Sequence, residues 1–136
     1  MSAELVVLDA SAAVELLLAT DDGQQIDHRL RSGAGLVAPA HFDAEVLSAL
    51  GRLCRSGQIP ATVVGDALED LADLPIQRID LPPLLAEAWA LRHNVSGRDG
   101  LYVAIARRAE ATLVTTDGRL ARAVERHHLS EVWTPS

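Results

Sequence analysis

Leu5-Val6-Val7-Leu8-Asp9-Ala10-Ser11-Ala12, close to the start of the chain, decides the fold. Four apolar residues without alternation read as a strand buried on both faces, since a strand with one wet face would switch polarity at every step. The strand, expected over 4–9, ends on a carboxylate. Helical spacing takes over at 11–19, where Val14, Leu17 and Leu18 share a face. A buried strand, an acid and a helix in immediate succession open a parallel α/β unit. The same order returns late in the chain, where a strand over 112–116 runs into Asp117 and a helix over 119–126.

The segments between continue the alternation. A polar helix over 24–31 follows Asp21-Asp22-Gly23, which reads as a turn or a helix start, and Gly33-Ala34-Gly35 breaks it before a short strand over 36–38. Residues 40–55 form the clearest amphipathic helix, with Phe42, Val46, Ala49, Leu50 and Leu53 on one face and Ser48, Arg52 and Arg55 on the other. Pro60 suits the first turn of the next helix, whose Val64, Ala67, Leu68 and Leu71 repeat at core spacing. A third strand covers 76–79. Pro82-Pro83 opens a helix expected to reach His93, a helix over 98–109 follows Ser96-Gly97, and a short strand over 131–133 closes the pattern. The expected fold is a three-layer α/β/α sandwich with a mostly parallel central sheet, one domain over 1–136. Right-handed crossovers would then bring the carboxyl end of every strand to one edge.

Composition removes several functions. The four aromatic residues, Phe42, Trp89, Tyr102 and Trp133, are too few for a base-stacking platform. All basic residues are arginine, so phosphate binding by a Walker lysine and Schiff-base chemistry are both absent. Cys54 is alone, which rules out an internal disulfide and a cysteine zinc site, and it reads as a core residue in a reducing compartment. No run approaches a membrane span, and Met1-Ser2-Ala3-Glu4 lacks the basic region of a signal peptide, so the cytoplasm is the expected location.

The acids carry the functional signal. Asp9 and Asp117 close the two buried strands, and both strand ends belong to the edge where parallel sheets gather ligands. Asp99 falls on the side of its helix that carries Tyr102, Val103 and Ala106, and Glu45 borders the stripe of Phe42, Ala49 and Leu53. Each acid also has a purely structural reading: Asp9 and Asp117 as helix caps, Asp99 as a first-turn complement to the helix dipole, Glu45 as an edge charge. Asp43 is read that way too, as a helix-start charge. Four converging carboxylates cannot all stay ionised without a counter-cation, and a hard divalent ion, Mg²⁺ or Mn²⁺, takes such oxygen donors. The chemistry this offers is hydrolysis of a phosphodiester. Setting the four aside also reduces the formal net charge from −7 to −3, which weakens the objection to a nucleic-acid substrate.

Ser11 and Thr115 lie two residues from Asp9 and Asp117 and could orient a carboxylate, with helix capping and β propensity as the alternatives. Arg98 and Arg119 neighbour site acids and could meet phosphate or form local ion pairs. The five histidines show no ligand spacing and read as structural. A phosphoaspartyl phosphatase also places an aspartate after an apolar strand, but it needs a second one where Ser11 stands, and a lysine that the chain lacks.

Leu8-Asp9-Ala10-Ser11-Ala12, Glu45 with Val46 and Ala49-Leu50, Asp99-x-x-Tyr102-Val103-Ala104-Ile105-Ala106, and Leu113-Val114-Thr115-Thr116-Asp117 follow in an order and spacing that resemble PIN domains. The likeness runs from Val6 to Trp133 and is nearest to VapC-type toxins of bacterial toxin–antitoxin pairs. It implies a PIN fold and a metal-dependent endoribonuclease with Asp9, Glu45, Asp99 and Asp117 as its acidic quartet on Mg²⁺ or Mn²⁺. It implies an RNA substrate, a homodimer, and a small DNA-binding antitoxin that occupies the acidic groove. It leaves open a PIN-fold nuclease acting on DNA or RNA outside such systems, and a non-catalytic module.

Overall fold

The computed structural model describes residues 4–136. Met1, Ser2 and Ala3, part of the stretch read for a signal peptide, lie outside the described residues. Five strands form one sheet: β1 (Leu5–Leu8), β2 (Gly35–Pro39), β3 (Ile76–Ile79), β4 (Thr112–Val114) and β5 (Val132–Trp133). Their order is β3-β2-β1-β4-β5, and every pairing is parallel. Val6, Val7 and Leu8 have no exposed surface, as expected of a central strand covered on both faces.

The strand order fixes the position of any site. The chain builds outward from β1 through β2 to β3, then returns to place β4 on the other side of β1. The crevice between the carboxyl ends of β1 and β4 is therefore the switch point of the sheet, where open α/β folds bind ligands. Asp9 follows β1, and its backbone N–H still donates to the carbonyl of Val114 at 3.0 Å.

Helices α1 (Ala10–Leu18), α2 (Asp21–Leu30), α3 (Phe42–Arg55) and α4 (Ala61–Asp73) make one layer, in which α1 packs on the other three. Helices α5 (Leu85–Ala90) and α6 (Gly97–Ala109) make the other, with α6 lying across β1, β2 and β4. Helix α7 (Gly118–Arg126) packs against β5. This is the expected three-layer sandwich. The α1–α2 corner is tight enough to require glycine: a Cβ on Gly23 would stand 1.9 Å from the carbonyl oxygen of Glu15.

Several boundaries differ from expectation, among them β4, expected to reach Thr116 but ending at Val114. Helix α2 begins at Asp21 because the Thr20 hydroxyl accepts from the N–H of Gly23 and caps it. The second strand is longer, reaching Pro39. The helix expected from Pro82 to His93 divides into a 3-10 turn over Pro82–Leu84, the short α5, and further turns through Asn94. The N–H groups of Arg92 and Asn94 reach back only three residues, to Trp89 and Leu91, so the chain winds more tightly there. Leu84, Ala88 and Leu91 are buried as expected, but Leu85, expected on the same inward face, is exposed. Cys54 is free and half-buried. Among the described residues no helix is long and apolar enough to cross a membrane.

Candidate active site

Asp9, Glu45, Asp99 and Asp117 line one cavity of about 250 Å³, together with Ser11 and Arg52. Asp9 arrives from the end of β1, Asp117 from the loop after β4, Glu45 from the first turn of α3 and Asp99 from the first turn of α6.

Asp9 is the anchor. It occupies the cap position of α1, yet its side chain caps nothing. Its Oδ2 instead accepts from the Ser11 hydroxyl at 2.7 Å and the Thr115 hydroxyl at 2.6 Å. Those hydroxyls in turn accept from the backbone N–H groups of Thr116 and Asp117, at 3.2 and 3.0 Å. The loop after β4 is thus bound through two hydroxyls to the acid at the end of β1. Oδ1 receives no hydrogen bond among the described residues. Burial pushes the Asp9 carboxyl above the ordinary carboxylate range; the two hydroxyls oppose this, and the charges of Glu45 and Asp117 add to it.

Asp117 carries both of its readings at once. Oδ1 accepts from the N–H groups of Arg119 and Leu120 and caps α7, while Oδ2 makes no bond to the protein among the described residues. Among the described residues the Asp99 side chain has one hydrogen bond, from the Ser96 hydroxyl at 3.3 Å. Burial raises its carboxyl, followed by the charges of Asp9 and Asp117.

Glu45 is held most firmly from below. Tyr102, buried completely, donates to Oε1 at 2.7 Å. Arg98, largely exposed, stands 3.5 Å from Oε2. His41 Nε2 lies 3.2 Å from Oε1 without the alignment of a hydrogen bond, and both of its ring nitrogens are buried without a partner. Burial, then the Arg98 charge, lowers the His41 pKa against the pull of Glu45, so its imidazole is neutral near neutral pH.

The donor set suits a hard divalent ion: oxygen only, with raised carboxyl groups on Asp9 and Asp99 that a cation would relieve. Among the described residues no three acidic, histidine or cysteine side chains already stand as a ready ligand cluster.

Asp43 is drawn away from the cavity. Arg78 on β3 grips it with two bonds, Nε to Oδ2 at 3.0 Å and a terminal nitrogen to Oδ1 at 2.8 Å. Arg119 contributes its backbone to the Asp117 cap. Two neighbours were not marked by the sequence: Tyr102 as partner of Glu45, and Arg52, expected only on the polar face of its helix. The signal for Arg52 was its spacing, two helical turns after Glu45 on the same side.

A family model described as PIN domain matches residues 6–125. Ribonuclease VapC3 of Mycobacterium tuberculosis is 48% identical over 120 residues, 88% of either chain. Ribonuclease VapC12 of the same organism is 41% identical over 118 residues, 87% of this chain and 91% of its own. In fold, the chain is similar to VapBC2 from Rickettsia felis, whose crystal structure is bound to a DNA fragment from the promoter. The TM-score is 0.68 at 14% identity, over 97% of this chain and 99% of that one.

Proposed function

The chain belongs to the PIN-domain family, and from that premise we propose that it is a metal-dependent endoribonuclease, the toxin of a toxin–antitoxin pair. We read residues 1–136 as one nuclease domain acting in the cytoplasm. The observation that carries the reading is the cavity at the β1–β4 switch point, where Asp9, Glu45, Asp99 and Asp117 converge around a cleft open to substrate.

Asp9, Glu45, Asp99 and Asp117 would hold Mg²⁺ or Mn²⁺. The ion would supply Lewis acidity toward a phosphoryl oxygen and neutralise charge in the displacement at phosphorus. The side chains do the positioning. Ser11 and Thr115 fix the Asp9 rotamer and leave Oδ1 available. Capping of α7 fixes Asp117 and leaves Oδ2 available. Tyr102 holds one oxygen of Glu45 in place. Arg98 and Arg119, both exposed at the rim, would meet flanking phosphates.

The relatives named as ribonucleases favour RNA as substrate. The similar fold of VapBC2 supports an antitoxin partner that binds DNA, and we place this chain in a homodimer that such a partner inhibits.

The test is cleavage of RNA by the purified protein with Mg²⁺, with Mn²⁺ and with a chelator. Cleavage is expected only with metal, and not from Asp9→Asn or Asp99→Asn. Cleavage that survives the chelator, or either substitution, would falsify the metal-site assignment. Cleavage of DNA in preference to RNA would overturn the substrate. Co-purification of a short DNA-binding protein encoded beside this chain, with loss of cleavage in the complex, is the expected result for the partner.

A further inference from the structure

The carboxylate cavity does not end at its acids. Ser11, Ala49 and Arg52 are also walls of a second groove of about 470 Å³, which runs between α1 and α3. Val14 and Glu15 from α1 and Leu53 from α3 line it too, with Gln58 and Thr116. Its size lies within the range of small-ligand pockets.

Three features define an occupant. Arg52 is the groove's only cation, and it stands exposed at the junction of the two cavities. Among the described residues its guanidinium makes no ion pair or hydrogen bond, although four carboxylates line the same cavity. Val14, Ala49 and Leu53 offer the groove aliphatic surface, while Gln58 and Ser56 offer polar groups. Glu15 would repel a phosphate placed there, and one of its oxygens already accepts from the Thr20 hydroxyl. A phosphate therefore belongs at Arg52 and a neutral, edge-polar group belongs beyond it. A nucleoside of unstacked, single-stranded RNA has that division.

We propose that the groove between α1 and α3 receives the nucleoside next to the scissile phosphate, and that Arg52 contacts the backbone phosphate between groove and carboxylates. The proposal rests on the ribonuclease reading above. The groove holds no aromatic side chain, so the base packs on aliphatic surface and is read at its edge, with Gln58 and Glu15 as its polar partners. A duplex keeps its bases stacked and would not enter.

The probe is a short, labelled, mixed-sequence single-stranded RNA, bound to protein carrying Asp99→Asn so that cleavage does not intervene. Arg52→Ala is expected to weaken binding about tenfold and to lower the slope of log affinity against log salt by about one; Arg52→Lys is expected to restore the slope. In the active protein, Ser56→Phe, which narrows the groove, is expected to raise KM more than it lowers kcat. It should also change the nucleotide preferred beside the cut. Thermal melting of each variant separates these effects from unfolding. RNA bound by the Asp99→Asn protein with an unchanged salt slope in Arg52→Ala, and unchanged cleavage positions in Ser56→Phe, would overturn the subsite alone. Failure to bind RNA at all would overturn the ribonuclease reading and the subsite with it.

Discussion

The hydroxyl of Tyr102 donates to Oε1 of Glu45 at 2.7 Å, from a ring with no exposed surface. The bond joins α6 to α3 beneath the acidic cavity and gives a buried phenol its required partner. The same burial, with the Glu45 bond next, raises the Tyr102 pKa far above that of a free phenol, so it remains a donor.

Tyr102→Phe keeps the core volume and removes only this bond. Stability is expected to fall by about 1.5–3 kcal/mol, the range for a bond to a charged acceptor. RNA cleavage should fall as Glu45 is released. Chemical denaturation and turnover measured on one preparation check both; unchanged turnover would mean that Glu45 does not need holding.

Thr115→Val is nearly isosteric, yet it removes a donor from Asp9 and an acceptor from the Asp117 N–H. Thr115 is fully buried, so water cannot replace the lost partner, and a loss of about 1–3 kcal/mol is expected. Ser11→Ala should cost less, because Ser11 is only half-buried. Equal losses for the two would contradict the burial argument.

Asp117 permits a separation of roles. Asn caps a helix about as well as Asp, so Asp117→Asn should keep its melting temperature while losing most of its RNA cleavage. Asp117→Ala should lose both, with about 1 kcal/mol of stability gone with the cap. An active Asp117→Asn protein would leave this acid as a cap only.

The raised carboxyl groups of Asp9 and Asp99 give a pH dependence with a defined sign. The folded protein holds more protons than the unfolded chain between the ordinary carboxylate pKa and the raised one, so this contribution to stability falls as pH climbs through that window. His41 acts in the opposite sense: its pKa is lowered, so stability is lost as pH falls below the ordinary histidine range. Comparing Asp9→Asn with the parent largely cancels the histidine. In chelator the two should melt together at acid pH, and the variant should melt higher toward neutral pH. Mg²⁺ should close that gap by stabilising the parent. A gap independent of pH would count against a strained Asp9.

Much of this was legible from residue order. The unbroken apolar run at Leu5–Leu8 identified a central parallel strand, because only burial on both faces removes alternation, and Leu113-Val114 among β-favouring threonines marked its counterpart before Asp117. Topology then brought Asp9 and Asp117 to one edge, and helical phase did the same for Glu45 and Asp99. The break of the helix after Pro82 was not legible, since Leu84, Ala88 and Leu91 fit either winding. The partners of the acids were beyond reach as well. Tyr102 was recognisable as a residue facing the sheet, but its bond to Glu45 depends on how α6 and α3 approach each other. The grip of Arg78 on Asp43 similarly needs β3 beside α3. Local pattern encodes which face a side chain occupies, and tertiary packing decides what it meets there.

Oδ2 of Asp9 takes its two hydroxyls from residues 2 and 106 positions along the chain. The nearer one belongs to the first turn of α1; the farther one is brought in by the pairing of β4 with β1, although β2 and β3 lie between them in sequence. One side of the first strand therefore has its partner only in β4, and no piece of the chain that stops before residue 115 can hold Asp9 fully. A piece of the chain without Thr115 and Asp117 keeps three of the four acids, with Asp9 held by Ser11 alone. The acidic cavity is in this way completed only by strands from distant parts of the sequence, and neither part carries it alone.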